Sequence, residues 1–409
     1  MINLLQGWEW KSLGEIFNIE RGGSPRPIKE FLTDKEDGIN WIKIGDIKNQ
    51  KYLYKTEEKI IQEGLKKSKL VIEGDLLVSN SMSFGKPVIV KLQKGAIHDG
   101  WLLLKEKINL NKEYFYYLFS SNFMYNFLSY QASGSTVKNL NIDKLKQIEI
   151  PLPPLKEQER IVGILDESFS KIDESIKILE QDLLNLDELM QSALQKAFNP
   201  LKDNAKENYK LPQGWEWKSL EEISEINPRN KIDDNINVSF ISMDKILDGY
   251  NNDFSYKVKK WKEVKKGFTH FKQGDIGVAK ITPCFENRKS VIFDKLENGF
   301  GAGTTELHII RANESVYSKF LLWFFKTEWF IQNGILNMTG ATGHKRISKD
   351  FIKSLKIPLP PLKEQEQIAS HLDELSSHVK NLKQNYQAQI KDLQELKKSL
   401  LDKAFKGNL

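Results

Sequence analysis

Apolar residues recur at alternating steps of three and four along a long segment that begins after Pro154. The apolar positions are Val162, Leu165, Phe169, Ile172, Ile176, Leu179, Leu183, Leu186, Met190, Ala193 and Ala197. Prolines directly precede the segment, and Glu157 and Glu159 fall in its first turn, where the helix dipole favours negative charge. The pattern predicts one continuous helix with a coiled-coil seam, and such a seam needs a partner helix to bury it.

A repeat within the chain predicts that partner. Residues 151–159 read Pro-Leu-Pro-Pro-Leu-Lys-Glu-Gln-Glu, and residues 358–366 repeat these letters 207 positions later. At the same offset, the Gly-Trp-Glu-Trp-Lys-Ser-Leu of residues 7–13 returns unchanged at 214–220. The chain is therefore two copies of one unit, each a globular block followed by a long helix. Because the first helix leaves block one and the second must return from block two, we expect the helices to pack antiparallel.

Each block has the pattern of a mixed α/β domain. Short apolar runs between glycine turns predict strands at 41–44, 75–78, 88–90 and 101–104 in block one, and at 238–242, 275–279, 290–293 and 307–310 in block two. Aromatic residues at helical spacing predict one further helix per block, over about 114–130 and 316–332. The predicted fold is two mixed α/β blocks, residues 1–150 and 200–357, separated by antiparallel coiled-coil helices at 151–199 and 358–409.

The loops between the strands differ although the framework repeats. Residues 79–87 of block one and 280–289 of block two occupy similar places with unrelated side chains. The net charge of +6 is concentrated in the blocks, which carry +4 over residues 1–150 and +6 over 200–357. Positive blocks indicate surfaces that meet a polyanion, although lysines on ordinary solvated faces would give the same excess. Divergent loops on a repeated framework indicate one task performed on two targets.

The composition and the motifs that the sequence lacks limit the cellular compartment and the kinds of catalysis that we expect. A single cysteine, Cys284, excludes an internal disulfide, and no apolar run reaches the roughly 20 residues of a membrane span, so we expect a cytoplasmic protein without a membrane partner. The sequence contains no phosphate-binding loop, dinucleotide fingerprint or Asn/Asp-Pro-Pro-aromatic motif, and no cluster of metal ligands. Glu263 and Lys265 could end a nuclease triplet, but a solvated charged surface is the simpler interpretation. We predict a binding protein without a catalytic residue, cofactor or metal of its own.

Several features together resemble the specificity subunits of type I restriction-modification systems. They are the two Pro-Leu-Pro-Pro-Leu-Lys-Glu-Gln-Glu motifs, the Gly-Trp-Glu-Trp start of each block, and the elements Gly-Ser-Thr at 134–136 and Gly-Ala-Thr at 340–342. The resemblance covers nearly the whole chain. It implies that each block is a target-recognition domain that reads one half of a bipartite, asymmetric site in double-stranded DNA.

The resemblance also implies partners. The paired helices would act as a spacer and as the docking surface for two methyltransferase subunits, which restriction and translocase subunits join. Methylation and cleavage, with their S-adenosylmethionine, ATP and magnesium, would belong to those partners. Two alternatives remain open from the sequence: a coiled-coil protein scaffold without DNA readout, and a stand-alone DNA-modifying enzyme with an unrecognised site.

Polar residues in loops near glycine or proline are the candidates for contact with DNA, since phosphates and base edges are both bound by such side chains. In block one the candidates are Ser24, Arg26, Lys43, Asn80, Ser81, Lys86 and Lys138. In block two they are Arg229, Lys280, Asn287, Arg288, Lys289, Lys345 and Arg346. For each of them, the alternative is an ordinary exposed side chain.

Overall fold

The computed structural model describes residues 6–48, 50–80, 85–131, 142–198, 211–341, 343–405 and 409. The chain divides into two compact units. The first consists of Met1–Ile178 with Ala388–Leu409, and the second of Leu179–Gln387. Each unit therefore contains one block together with part of both long helices.

The described part of block one is built on two packed sheets and a small third one. Strand β1 (Glu9–Ser12) pairs antiparallel with β11 (Glu149–Leu152). A five-stranded sheet has the order β2 (Phe17–Arg21), β10 (Trp101–Glu106), β7 (Leu76–Ser79), β8 (Pro87–Val90) and β4 (Tyr52–Leu53). A four-stranded sheet has the order β5 (Glu58–Ile60), β3 (Ile39–Ile42), β9 (Lys94–Ile97) and β6 (Lys69–Ile72). Buried residues of both larger sheets, such as Val71 and Leu77, share one core with Trp101.

Block two repeats this plan. Strand β12 (Glu216–Ser219) pairs with β21 (Lys356–Leu359). One four-stranded sheet has the order β13 (Ser224–Ile226), β20 (Leu307–Ala312), β17 (Ile276–Ala279) and β18 (Ser290–Ile292). The other has the order β15 (Lys257–Lys260), β14 (Asn237–Ile241), β19 (Phe300–Gly303) and β16 (Thr269–Lys272). Each strand predicted from the sequence overlaps one of these strands, and the mixed α/β class is confirmed.

Helices connect and cover the sheets. The short helices are α1 (Leu13–Ile16), α2 (Gln62–Leu65), α5 (Ile142–Lys146), α7 (Leu220–Ile223), α8 (Trp261–Val264) and α11 (Lys349–Ser354). The aromatic helices are α3 (Lys112–Ser120) and α4 (Asn122–Gln131) in block one, and α9 (Ser318–Phe325) and α10 (Glu328–Leu336) in block two. The prediction of a single aromatic helix per block is therefore wrong, because each is two helices.

The break has the same physical cause in both blocks. Ser121 and Thr327 lie between the paired helices with extended backbone, at φ −79° and −67°. The Ser121 hydroxyl accepts the backbone N–H of Met124, and the Thr327 hydroxyl accepts that of Phe330, each at 3.2 Å. Each hydroxyl thus caps the start of the second helix, which lets the chain turn while the aromatic side chains stay buried.

The long helices are α6 (Leu155–Ala197) and α12 (Leu362–Phe405). Within the first unit, Lys397 Nζ donates to Asp173 at 2.7 Å, and within the second, Lys383 Nζ donates to Asp187 at 2.5 Å. From Asp173 to Asp187 the residue number rises by 14 along α6, whereas from Lys397 to Lys383 it falls by 14 along α12. The helices therefore pair antiparallel, as predicted from the order of the blocks.

The glutamine of the repeated motif joins each long helix to its block. Gln158 accepts the backbone N–H of Asn111 at 2.9 Å and donates to the carbonyl of Pro153 at 2.9 Å. Gln365 accepts the backbone N–H of Tyr317 at 2.8 Å and donates to Pro360 at 2.8 Å and Ser315 at 3.1 Å. Both side chains are buried. The motif recurs because one buried amide must satisfy backbone groups of both the helix start and the block.

Candidate nucleic-acid interface

In block one, the loop after β2 is fixed by its two glycines. The backbone N–H of Gly22 donates to the carbonyl of Trp101 at 2.9 Å, and that of Gly23 donates to Ile97 at 3.1 Å. A Cβ at Gly22 would lie 2.2 Å from the carbonyl oxygen of His98, an approach that only glycine allows. These contacts fix the backbone of the loop and therefore the starting positions of Ser24 and Arg26.

Asp99 collects polar groups of this loop, and we call the set of Arg21, Ser24, Arg26, His98 and Asp99 the Asp99 cluster. Ser24 Oγ donates to Asp99 Oδ1 at 2.9 Å, and His98 Nε2 lies 3.0 Å from the same oxygen. Arg21 Nε donates to the backbone carbonyl of Asp99 at 2.9 Å. Arg26 Nη2 lies 3.8 Å from Asp99 Oδ2, and the Arg26 side chain is 82% exposed. The guanidinium of Arg26 thus lies near a carboxylate but is open to a ligand.

A cavity of about 770 Å³ lies beside the Asp99 cluster. Its lining includes three predicted residues, Ser24, Arg26 and Lys43, together with Trp41. Lys43 Nζ lies 2.9 Å from Glu58, and the hydrogen bond to that carboxylate raises the pKa of Lys43. Two cationic side chains therefore border an apolar-walled opening, a setting in which a guanidinium or an ammonium can contact phosphate oxygens or the acceptors of a guanine edge.

The other block-one candidates have different surroundings. Asn80 is buried, and its backbone N–H donates to the carbonyl of Gly100 at 2.7 Å, which places it next to the Asp99 cluster. Lys86 is exposed. Ser81 and Lys138 lie outside the described residues. The structure thus brings three of the seven candidates, Ser24, Arg26 and Lys43, to one face of block one, with Asn80 buried next to the Asp99 cluster.

In block two, residues 287–289 form a turn around Arg288, which has a positive φ of 56°. Arg288 Nε donates to the carbonyl of Lys326 at 3.2 Å, and its Nη2 forms an ion pair with Glu328. The guanidinium also lies 5.5 Å from the ring centre of Tyr250, and the side chain is only 17% exposed. Arg288 therefore stabilises its own turn, unlike the open Arg26 of block one.

Lys326 supports the Arg288 turn from inside the block. Its fully buried Nζ donates to the carbonyls of Gly249 at 2.8 Å, Ser290 at 3.0 Å and Arg288 at 3.3 Å. Burial, followed by the nearby charge of Arg288, lowers the pKa of Lys326 to about 7. Sequence reasoning missed this residue, although a lysine directly after the apolar run of residues 320–325 is unusual, since lysine is rarely buried without partners.

Three further candidates of block two come together through the pairing of Ile281 with Arg346. The backbone N–H of Ile347 donates to the carbonyl of Lys280 at 3.0 Å, so Lys280 and Arg346 lie on adjacent segments. Arg346 donates two hydrogen bonds to Glu306, at 2.9 and 2.8 Å, and this pairing lowers the pKa of Glu306. Lys345, which directly precedes Arg346, is exposed.

The remaining block-two candidates lie apart from that group. Arg229 is exposed in the loop after β13, and its Nη1 donates to the carbonyl of Phe268 at 3.1 Å. Asn287 is exposed, and Lys289 Nζ donates to the carbonyl of Met243 at 3.3 Å. The block-two candidates therefore fall into separate places rather than into one cluster.

Sequence reasoning also missed Asp99, which organises the block-one site. Asp99 lies 75 positions from Ser24, and no local pattern links the two. Only the pairing of β2 with β10 brings their loops together.

The described residues contain no group of three or more His, Cys, Asp or Glu side chains that could hold a metal ion. Among the helices that the structure describes, none has both the length and the apolar character needed to cross a membrane.

Comparison with known proteins places the chain in a family. The model of the type I restriction modification DNA specificity domain matches residues 6–184 and again 212–392. The specificity subunit of the type I restriction enzyme EcoAI of Escherichia coli is 43% identical over 218 residues, and that of EcoEI, also of Escherichia coli, is 41% identical over 195 residues. These alignments cover 52% and 47% of this chain, but only 37% and 33% of the relatives, so the matches span about a third of each relative's length.

A solved structure has the same fold. It comes from a study of complex assembly and conformational transition of the type I R-M system, with a TM-score of 0.76 and 21% identity over 100% of both chains. The prediction of a specificity subunit is confirmed. Since the family model matches both copies of the repeat, and with them most of the sequence, this chain belongs to the family of type I restriction-modification specificity subunits.

Proposed function

We propose that this chain reads a bipartite, asymmetric DNA sequence, one half with each block, as the specificity subunit of a type I restriction-modification complex. One observation carries the proposal: equivalent strands of the two blocks present unrelated polar groups. After β2, block one presents the open Arg26 beside Asp99, whereas after the equivalent strand β13 block two presents Arg229, which donates to the carbonyl of Phe268. A shared framework with two sets of polar groups suits one task performed on two different half-sites.

In this proposal, contacts to phosphates position each block and contacts to base edges select the sequence. In block one, Arg26 and Lys43 approach the duplex from the border of the cavity, with Asp99 beside Arg26. In block two, the exposed Arg229 and Lys345 are the corresponding cations. The Arg288 turn acts there mainly by its shape, because its central side chain is already bound within the block.

The proposal assigns the other activities to partners. Two methyltransferase subunits dock on the long helices, and restriction and translocase subunits join that core. S-adenosylmethionine, ATP and magnesium are bound by those partners, while this chain contributes no catalytic residue.

Selection of random DNA by the full chain, co-expressed with its methyltransferase subunit, tests this function. Sequencing of the bound duplexes should return two fixed half-sites of different sequence, separated by unselected positions. The methyltransferase subunit alone is the control and should select no such motif. A continuous motif, or no enrichment, would contradict reading by two blocks.

A further inference from the structure

One edge of block two carries a concentration of positive charge. Residues 257–266, which cover β15 and α8, contain six lysines and one glutamate. We call its lysines the lysine strip: Lys257, Lys259, Lys260, Lys262, Lys265 and Lys266. Strand β15 is the outermost strand of its sheet, and four of the six lysines are exposed.

Most of these lysines have no intramolecular charge partner. Lys259 Nζ lies 4.1 Å from the ring centre of Phe240, and Lys265 Nζ pairs with Asp234 at 2.6 Å. The other four are exposed, and within the described residues no carboxylate lies within ion-pair distance of them. These four are Lys257, Lys260, Lys262 and Lys266. Four unpaired positive charges on ten residues repel one another, and a nearby polyanion would relieve that repulsion.

Block one has the same structural segment without this charge. Strand β5 pairs with β3 as β15 pairs with β14, with Glu58 opposite Trp41 in block one and Lys257 opposite Phe240 in block two. Through this register, Lys257, Lys260 and Lys262 match Glu58, Ile61 and Glu63. The net charge is +5 over residues 257–266 and +1 over residues 58–67.

Protection of a sheet edge does not explain the difference. Charged residues on an edge strand, lysine especially, prevent pairing with other chains, but only Lys257, Lys259 and Lys260 of the strip lie on β15 itself. Both β5 and β15 are edge strands, yet residues 257–266 carry six lysines and one glutamate, whereas residues 58–67 carry three lysines and two glutamates. The excess of lysine in block two therefore requires another cause.

The strip is continuous with a predicted DNA contact. Arg229, which is exposed, donates to the carbonyl of Phe268, two positions beyond Lys266. Lys231, in the same loop as Arg229, is also exposed. Arg229 thus lies beside the strip, and the same loop also carries Asp233 and Asp234, the second of which pairs with Lys265.

We propose that the lysine strip is a phosphate-contact surface for double-stranded DNA that block two has and block one lacks. This rests on the proposed function. The contacts add affinity without sequence preference, so block two anchors the duplex through its backbone while block one depends more on the groups around Asp99. Binding by block two should then carry the larger part of the salt dependence, since each neutralised phosphate releases counterions.

The test uses the full chain and a mixed-sequence duplex, with affinity measured by fluorescence anisotropy over about 50–200 mM KCl. One variant combines Lys257→Gln, Lys260→Gln and Lys262→Gln, the positions at which block one has no lysine. The matched control combines Lys59→Gln, Lys66→Gln and Lys67→Gln, which removes the same charge from the equivalent segment of block one. A third variant replaces the strip positions with arginine, which keeps the charge. Thermal melting of each variant verifies that it is folded.

The slope of log affinity against log salt should fall by about 2.7 in the strip variant, or roughly 0.9 per lysine, by less than about 1 in the control, and little in the arginine variant. An unchanged slope in the strip variant, or an equal fall in the control, would overturn the proposal for the strip. If the unmodified chain shows no salt-dependent binding at all, the proposed function itself fails, and the two failures are therefore distinguishable.

Discussion

The two blocks share the joints that attach them to the long helices but differ in the groups that face solvent. In block one, Asp166 of α6 accepts Lys51 Nζ at 2.9 Å and the hydroxyl of Tyr117. In block two, Asp373 of α12 accepts Lys319 Nζ at 2.6 Å and the indole N–H of Trp323 at 2.9 Å. The aspartates lie 207 positions apart, the offset of the repeat. The aspartate and an aromatic donor of the facing helix keep their positions, with Tyr117 in block one and Trp323 in block two. The lysine comes from a different element in each block, Lys51 from the segment before β4 and Lys319 from α9.

Away from the joints, equivalent positions have diverged in chemistry. Asp75 and Asp275 both accept a backbone N–H at the start of the same turn, yet only Asp275 is paired with an arginine. Likewise, exposed Ser120 of block one stands where block two has the buried Lys326. The comparison shows that the same backbone accommodates a buried charged side chain when other groups of the same block form hydrogen bonds or ion pairs with it.

The largest expected effect follows from Arg311, which donates to both oxygens of the buried Asp275 at 2.8 Å. Arg311→Met leaves that carboxylate without its charge partner and should lower the free energy of unfolding by about 3–5 kcal/mol. Lys105→Met, at the equivalent position of block one, removes an exposed side chain and should change it by less than about 0.5 kcal/mol. Calorimetric melting of both variants checks this, and equal losses would contradict the account.

The motif glutamines should show a smaller contrast in stability. Gln365→Ala leaves one buried N–H and two carbonyls unpaired and should cost about 2–4 kcal/mol, whereas Gln158→Ala frees one N–H and one carbonyl and should cost about 1–3 kcal/mol. The exposed neighbours supply controls, since Glu366→Ala and Glu159→Ala remove no buried hydrogen bond. Urea unfolding measures these free energies. Glutamine variants as stable as the controls would show that the glutamine does not stabilise the attachment of the helix to its block.

The smallest contrast separates binding from stability at two predicted arginines. Arg26→Ala should weaken binding to the selected DNA by about 1–3 kcal/mol and leave melting unchanged, because its side chain is largely free. Arg288→Ala should lower the melting temperature of the second unit, because it removes the ion pair to Glu328 and a hydrogen bond to Lys326. Unchanged DNA affinity in the Arg26 variant would show that Arg26 is an ordinary exposed residue that does not contact DNA.

The sequence predicts the features that local spacing determines. Helix α6 begins at Leu155, directly after the predicted proline boundary, and the seam residues Leu165 and Met190 are fully buried. Heptad spacing, capping prolines and a repeat at one offset are all visible without knowledge of contacts. The helix breaks at Ser121 and Thr327 could also have been predicted from the sequence, because a hydroxyl residue, a preferred N-cap, occupies the same place in both copies.

The rest depends on contacts between distant positions. Arg311 meets Asp275 only because β17 pairs with β20, and Arg288 meets Glu328 across 40 positions. The sequence identifies Arg26 and Arg288 as equal candidates, since both lie in polar loops. Arg288 is enclosed by Glu328, the carbonyl of Lys326 and the ring of Tyr250, whereas Arg26 has only Asp99 at 3.8 Å. No local pattern reveals these contacts.

The central claim is that each block reads its own half of the DNA site. Exchange of residues 214–357 for the second block of another family member, followed by the same selection of random DNA, tests it most directly. The account predicts that one half-site changes to the donor's sequence while the other half stays as in the unmodified chain. A motif in which both halves change, or neither does, would contradict independent reading by the two blocks.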